Sequence, residues 1–147
     1  MATGYYTHET ANMVLNMLLR GASEDPPDRV MIGLFTDDPG PGADLNVELS
    51  DSNYVRKDAA HEGYPVSDAF DSPEEGETQN AKSIEFNPIE DGEVTVTHFG
   101  IFGRYGESSD DDVLMFAAPL YSSRTLEPGD VLTWDQGSVV VSKIDNG

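Results

Sequence analysis

The sequence predicts a mainly β fold, an antiparallel β-sandwich or barrel-like domain with one N-terminal α-helix. Three observations lead there. About six short runs rich in β-branched and aromatic residues recur along the chain, each bounded by Gly, Pro, Asn or Asp. Only one segment has helical periodicity. No internal repeat or linker-like shift in composition divides the 147 residues, a length of about one domain. Residues 1–147 are therefore read as a single domain, with the helix at about 7–20 and the β part at about 30–144.

The helix rests on Ala11, Val14, Leu15 and Leu18, which fall at the i, i+3, i+4, i+7 spacing of one face. Thr7 suits the N-cap, Glu9 the first turn, Arg20 the last turn and Gly21 the position just past the end. Met13, Met17 and Leu19 extend the apolar surface beyond one stripe, which predicts burial on more than one side. A helix laid across a sheet is the expectation, and a subunit contact is the alternative. Ala11, Val14, Leu15 and Leu18 are the interface candidates in that second case.

Asp25-Pro-Pro-Asp breaks the chain, and Val30 to Thr36 then reads as a buried strand. Asp37-Asp-Pro-Gly-Pro-Gly-Ala43 is a turn, since Pro and Gly prevent either helix or sheet from continuing. Asn46 to Lys57 is a weaker extended stretch, and His61 to Ala81 reads as a long surface loop. Ser83 to Asn87 alternates as a strand does. Val94 to Phe102 and Val113 to Ala118 form a predicted hairpin around the loop Gly103 to Asp112, with Pro119 ending or bending the return strand. Val131 to Trp134 and Ser138 to Ile144, joined at Asp135-Gln-Gly137, close the chain as two further strands.

Composition limits the function. There are 28 acidic residues against 8 basic ones, a formal charge of −20, and the carboxylates are spread evenly from Glu9 to Asp145. With no basic patch, direct nucleic-acid binding is not expected, because phosphate contacts need clustered Lys and Arg. Such a coat repels itself at low salt, whereas molar salt shortens the screening length to about 3 Å. The expectation is a protein adapted to a halophilic cytoplasm or brine. The absence of cysteine excludes disulfides and thiolate zinc sites. No apolar run approaches the ~18 residues of a membrane span. The N-terminal Met1-Ala-Thr-Gly-Tyr-Tyr6 lacks the charged and hydrophobic regions of a signal peptide, which predicts an unsecreted product.

Motifs for chemistry are missing from the sequence. His8, His61 and His98 have no metal-ligand spacing, and no nucleophile elbow, phosphate loop or dinucleotide fingerprint occurs. No catalytic residue and no cofactor is expected. By alternation His98 shares a strand face with Val94 and Val96, so it is read as a core or interface residue satisfied by a neighbouring carbonyl or carboxylate. Asp110, Asp111 and Asp112 offer carboxylate oxygens to a hard cation, but they lack the alternate-position ligand order of an EF-hand. A hydrated, mutually repelling tip is expected, with no metal.

In chain order, Asn16-Met-Leu-Leu-Arg-Gly21, Val30-Met-Ile-Gly-Leu-Phe-Thr-Asp-Asp-Pro-Gly40, Tyr54-Val-Arg56, Val96-Thr-His-Phe-Gly-Ile-Phe102 and Leu126-Glu-Pro-Gly-Asp-Val-Leu-Thr-Trp134 form a set. Together they resemble the small virion proteins of tailed viruses usually labelled "phage tail fibre protein". Members commonly carry Tyr-Ala-Arg where this chain has Tyr54-Val-Arg56, and Asp-Ala where it has Gly103-Arg104. The resemblance implies a non-enzymatic virion protein, assembled in the host cytoplasm. It would form a symmetric homo-oligomer in contact with other virion proteins such as the major capsid protein or tail proteins. With the acidic coat, it suggests a haloarchaeal tailed virus. A compact domain without heptad or shaft repeats favours a capsid-surface turret or decoration protein. A tail fibre or baseplate component is one alternative. The other is a host receptor or glycan-binding module, using Tyr5, Tyr6, Tyr64 and Tyr105 against a host surface.

Overall fold

The computed structural model describes residues 4–142. The elements run β1 (Tyr5–Tyr6), α1 (His8–Arg20), β2 (Arg29–Phe35), β3 (Lys57–Asp58), β4 (Glu77–Gln79), β5 (Ile84–Glu85), β6 (Val94–Arg104), β7 (Asp112–Leu126), β8 (Thr133–Trp134) and β9 (Val140–Ser142). A five-stranded antiparallel sheet has the order β1-β7-β6-β2-β3, and two-stranded pairs form between β4 and β9 and between β5 and β8. The architecture is mainly β and sandwich-like, and α1 is the one α-helix among the described residues. The barrel-like alternative is not realised, because β1 and β3 remain as separate edges of the main sheet.

Both faces of that sheet are apolar. Ile32 opposite Ile101 and Leu34 opposite Phe99 point into the larger core, where they meet Ile84, Phe86, Leu126, Leu132 and Val139 from the small strand pairs and their connections. Trp134 sits edge-on to both Phe86 (5.3 Å) and Phe99 (5.5 Å), joining the layers. On the other face Met31, Phe35, Phe102, Leu114 and Ala117 form a second core under Tyr5, Ala43 and Val47. β2 is thus buried on both sides, which explains its near-continuous apolar sequence.

Glycine makes that second core fit. Gly33 and Gly100 are directly opposite each other. A Cβ on Gly33 would lie 2.7 Å from the Phe102 ring, and one on Gly100 would lie 2.8 Å from the Phe35 ring. The gap lets Phe35 and Phe102 stack with centroids 6.0 Å apart.

Several expectations change. The final two strands do not form a hairpin with each other: β8 pairs with β5, and β9 pairs with β4. Ile144, the predicted end of the last strand, lies outside the described residues. The stretch from His61 to Ala81 is not wholly loop, since it contributes β4 and the bridge from Phe70 to Asn80. Its anchor is Asn80, whose buried side chain donates to Lys82 O and Asp135 O and accepts from Val139 N. The weak strand at 46–57 is instead a 3-10 turn at Leu45–Val47, a single bridge from Glu48 to Phe35 and a loop, before Lys57–Asp58 pairs with β2. β7 continues through Pro119, but its register breaks beside that residue. Val96 pairs with Arg124 and His98 with Pro119, so residues 120 to 123 bulge opposite Thr97 alone. Tyr121, in that bulge, is 93% exposed.

Candidate functional site

The first candidate is the helix. Its N-terminus is fastened to the body: Thr7 N–H donates to Met115 O (2.9 Å), Thr7 Oγ1 to Leu114 O (2.6 Å) and His8 N–H to Pro41 O (2.8 Å). Thr7 Oγ1 also caps α1 by accepting from Thr10 N–H, and Gly21 ends it in the left-handed conformation at φ 65°. At about 100° per residue the apolar side chains divide into two sides. Thr10 is buried, with half-buried Met13 and Val14 beside it, on the side towards the sheet. Ala11, Leu15, Leu18 and Leu19 lie on the other.

That second side has no partner within the described residues. Leu15 is 53% exposed, Leu18 70% and Leu19 77%, while Met17, 44% exposed, falls in line with Thr10 and Met13 on the first side. The helix therefore lies across the sheet only through its inner stripe. Of the four sequence candidates, Val14 and Ala11 are half-buried, while Leu15 and Leu18 stand in solvent. Leu19, which extends the apolar surface beyond the four-residue stripe, lies with them on the exposed side.

The second candidate, the acidic tip, is divided by the structure. Asp110 and Asp111 are exposed, but the Asp112 side chain is fully buried, contrary to the expectation of a hydrated tip through all three. Asp112 Oδ1 accepts from Arg104 Nε (2.6 Å), and Oδ2 accepts from Arg104 Nη2 (3.0 Å) and Arg56 Nη1 (2.8 Å). Arg56 also forks onto Glu48 through Nε (2.8 Å) and Nη2 (2.6 Å), and its guanidinium lies 3.9 Å from the centre of the Phe102 ring. Tyr54 Oη donates to Glu48 at 2.6 Å and accepts from Leu34 N–H at 3.0 Å. Burial first, then the Glu48 charge, pushes the Tyr54 phenol up, and the two carboxylates outweigh desolvation to push the Arg56 guanidinium up. This network holds the 48–56 loop to the loop end of the β6–β7 hairpin, where Arg104 pairs with Asp112. With both Asp112 oxygens committed to arginine, a three-aspartate cation site does not form. Among the described residues no three His, Cys, Asp or Glu side chains gather as a metal site.

Between α1 and the hairpin loop lies an open groove of about 820 Å³, lined by Glu9, Glu24, Asp25, Asp110 and Asp111 over Met13 and Tyr105. Partial burial, then Glu24, Glu9 and Asp25, raises the Tyr105 phenol. The groove carries a negative field and no nucleophile–base pair.

His98 differs from expectation. The break between Val96 and His98 changes the phase of β6, so Val94, Val96, Phe99 and Ile101 face the larger core. His98, opposite Phe35, is turned to the other face, away from the two valines. It is half-buried, and its Nδ1 is 2.7 Å from Thr97 Oγ1, a hydroxyl rather than the expected carbonyl or carboxylate. His8 and His61 are exposed, and His61 Nε2 contacts Ser83 O at 2.8 Å. The four tyrosines proposed for glycans have separate local partners. Tyr5 bonds Asp38, Tyr6 packs on Phe116, Tyr64 lies under Lys82 and Tyr105 reaches Met13.

Fold and site thus define a small antiparallel β domain with apolar cores on both faces of its sheet, a part-buried ion-pair network and an outward apolar helix face. A family model described as "Podophage GP4 fiber I protein gp80" matches residues 6–142, nearly the whole chain, and the chain belongs to that family. It is accordingly a fibre-type structural protein of the virion. No curated protein matches the chain. No helix among the described residues is long and apolar enough to cross a membrane.

Proposed function

We propose that this chain is a non-enzymatic structural subunit of a tailed-virus particle, serving as a compact domain of the tail-fibre apparatus in contact with other tail proteins. The family match carries this reading. It is supported by a polar interior spent on ion pairs and hydrogen bonds between loops, with no buried side-chain polar atom left unpaired among the described residues.

The second reading is a capsid-surface turret or decoration. Compactness favours it: the longest described element, β7, has 15 residues, and no shaft repeat occurs among the described residues. Immunogold labelling of intact particles separates the two. Label confined to the tail supports the fibre reading, label around the head supports the turret, and absence from the particle refutes both.

We further propose a halophilic host, which fits a haloarchaeal virus. Among the described residues Arg29, Arg56, Lys82 and Arg104 pair with carboxylates of Asp58, Glu48, Asp112 and Asp68, a small share of an acidic coat that outnumbers the basic residues 28 to 8. Multimolar KCl should raise the melting temperature, and an unchanged Tm between low salt and 3 M KCl, about a 3 Å screening length or less, would refute the halophilic reading.

A further inference from the structure

We propose that the outer side of α1 is the self-association surface of the protein, docking against the same helix of a second copy. This interface rests on the structural reading above for its setting, while its physical basis lies in the helix alone.

Three observations select the occupant. Leu15, Leu18 and Leu19 are 53–77% exposed and contiguous on the helix surface. Side chains of that size leave an apolar patch on the order of 400 Å², within the range of about 300–600 Å² at which monomer patches are often functional. Secondly, Ala11, Leu15 and Leu18 have i, i+4, i+7 spacing, the pattern of a helix–helix seam with a small residue at one end for close approach. An α-helix presenting this row is complementary to another helix presenting the same row, as a closed symmetric contact requires.

Charge decides between a copy and a different partner. From Thr10 to Leu19 there is no charged side chain, although the chain carries 28 acidic and 8 basic residues. Two molecules of formal charge −20 repel over nearly every other surface. The uncharged helix is where two copies can meet without opposed carboxylates. A basic partner would instead be drawn to the acidic surfaces. Two facing patches bury roughly half of the ~1,600 Å² typical of a specific interface, so the helices form its apolar centre and flanking surface completes it.

The test is the oligomeric state of the purified full chain in 2–3 M KCl, where the ~3 Å screening length weakens the repulsion. Sedimentation should show a discrete oligomer for the wild type and a monomer for Leu15→Glu/Leu18→Glu. Circular dichroism and Tm of that variant should stay close to wild type, because both side chains are exposed. The chain has no cysteine, so Leu18→Cys introduces a single thiol. Oxidation should cross-link it in high yield, while Tyr121→Cys, equally exposed on the β7 bulge, should not cross-link.

A wild type that stays monomeric at high concentration overturns self-association. An oligomer unaffected by the double substitution, with equal cross-linking at both cysteines, overturns the assignment to α1. Neither result depends on where antibodies label the particle.

Discussion

Asp112 is wedged between Arg56 and Arg104, its side chain fully buried and both its oxygens bonded to guanidinium groups. Arg56 carries a second bidentate contact, to Glu48, and only 10% of its side chain is exposed. Arg56→Leu therefore leaves buried carboxylates short of positive charge. Breaking such a network from one side costs about 3–5 kcal/mol. Urea unfolding should show a loss of this size, and Arg56→Lys should recover only part of it, because an ammonium cannot fork onto both carboxylates. A loss below about 1 kcal/mol, the level of a surface pair, would refute the idea that this network fastens the 48–56 loop.

The glycine pair predicts overpacking. Gly100→Ala places a methyl 2.5 Å from Leu114 Cδ1 and 2.8 Å from the Phe35 ring, and neither neighbour can move freely inside the second core. Destabilisation of about 1–3 kcal/mol is expected, as for other enlargements of a packed core. Gly42→Ala is the control, since its Cβ would meet nothing within 4 Å and the position has no positive φ. Equal melting temperatures for the two variants would count against a sterically required glycine at position 100.

These two sites show what the sequence could and could not reveal. The helix was legible to the residue because its cap, stripe and terminal glycine are local signals. β2 was legible as an unbroken apolar run between Asp25-Pro-Pro-Asp28 and the 37–43 turn, and the β6–β7 hairpin as two runs of β-branched and aromatic residues around a polar loop. The partners of β8 and β9 were not, since two-residue and three-residue strands carry too little pattern to distinguish a local hairpin from pairing with distant β5 and β4. Nor could alternation place His98, because the irregularity that reverses its face depends on Pro119 in the partner strand. The split of Asp110 to Asp112 depends on Arg56, more than fifty positions away in the chain. The unpartnered helix face could be suspected from Leu19 beside Leu15 and Leu18, but only the position of the sheet tells which side remains open.

Asn80 provides a test of the arm that covers the larger core. Its side chain satisfies two carbonyls and one amide between segments far apart in sequence. Asn80→Leu removes all three bonds within a fully buried position. Asp135 O keeps its bonds from the Ser138 amide and hydroxyl, but Lys82 O and the Val139 amide are left unsatisfied at about 1–3 kcal/mol each, so a loss of at least about 2 kcal/mol is expected. Hydrogen exchange should locate the effect, with the Val139 amide losing protection while amides of β2 and β6 lose much less. Uniform loss across the sheet would mean that Asn80 does not act through this local lock.

Acid should loosen the lock between the 51–53 turn and the 88–91 turn first. Asp51 accepts from the backbone amides of Asp91, Asn53 and Glu90, and these bonds, Asp91 first, hold its carboxyl below its ordinary value of 3.8. A carboxylate whose folded pKa is depressed binds its proton more readily in the unfolded chain. Its contribution is therefore present above the unfolded value and lost as pH falls through the lower folded one. Tm should drop as pH is lowered past 3.8, and Asp51→Asn should flatten that part of the profile while lowering stability at neutral pH. Asp38, depressed by the Tyr5 hydroxyl and then by the Gly40 amide, titrates in the same sense. Asp51→Asn/Asp38→Asn should consequently be flatter than either single variant. If the acid limb keeps its wild-type slope in the double variant, the pH dependence arises from the remaining carboxylates and these two turns do not contribute to it.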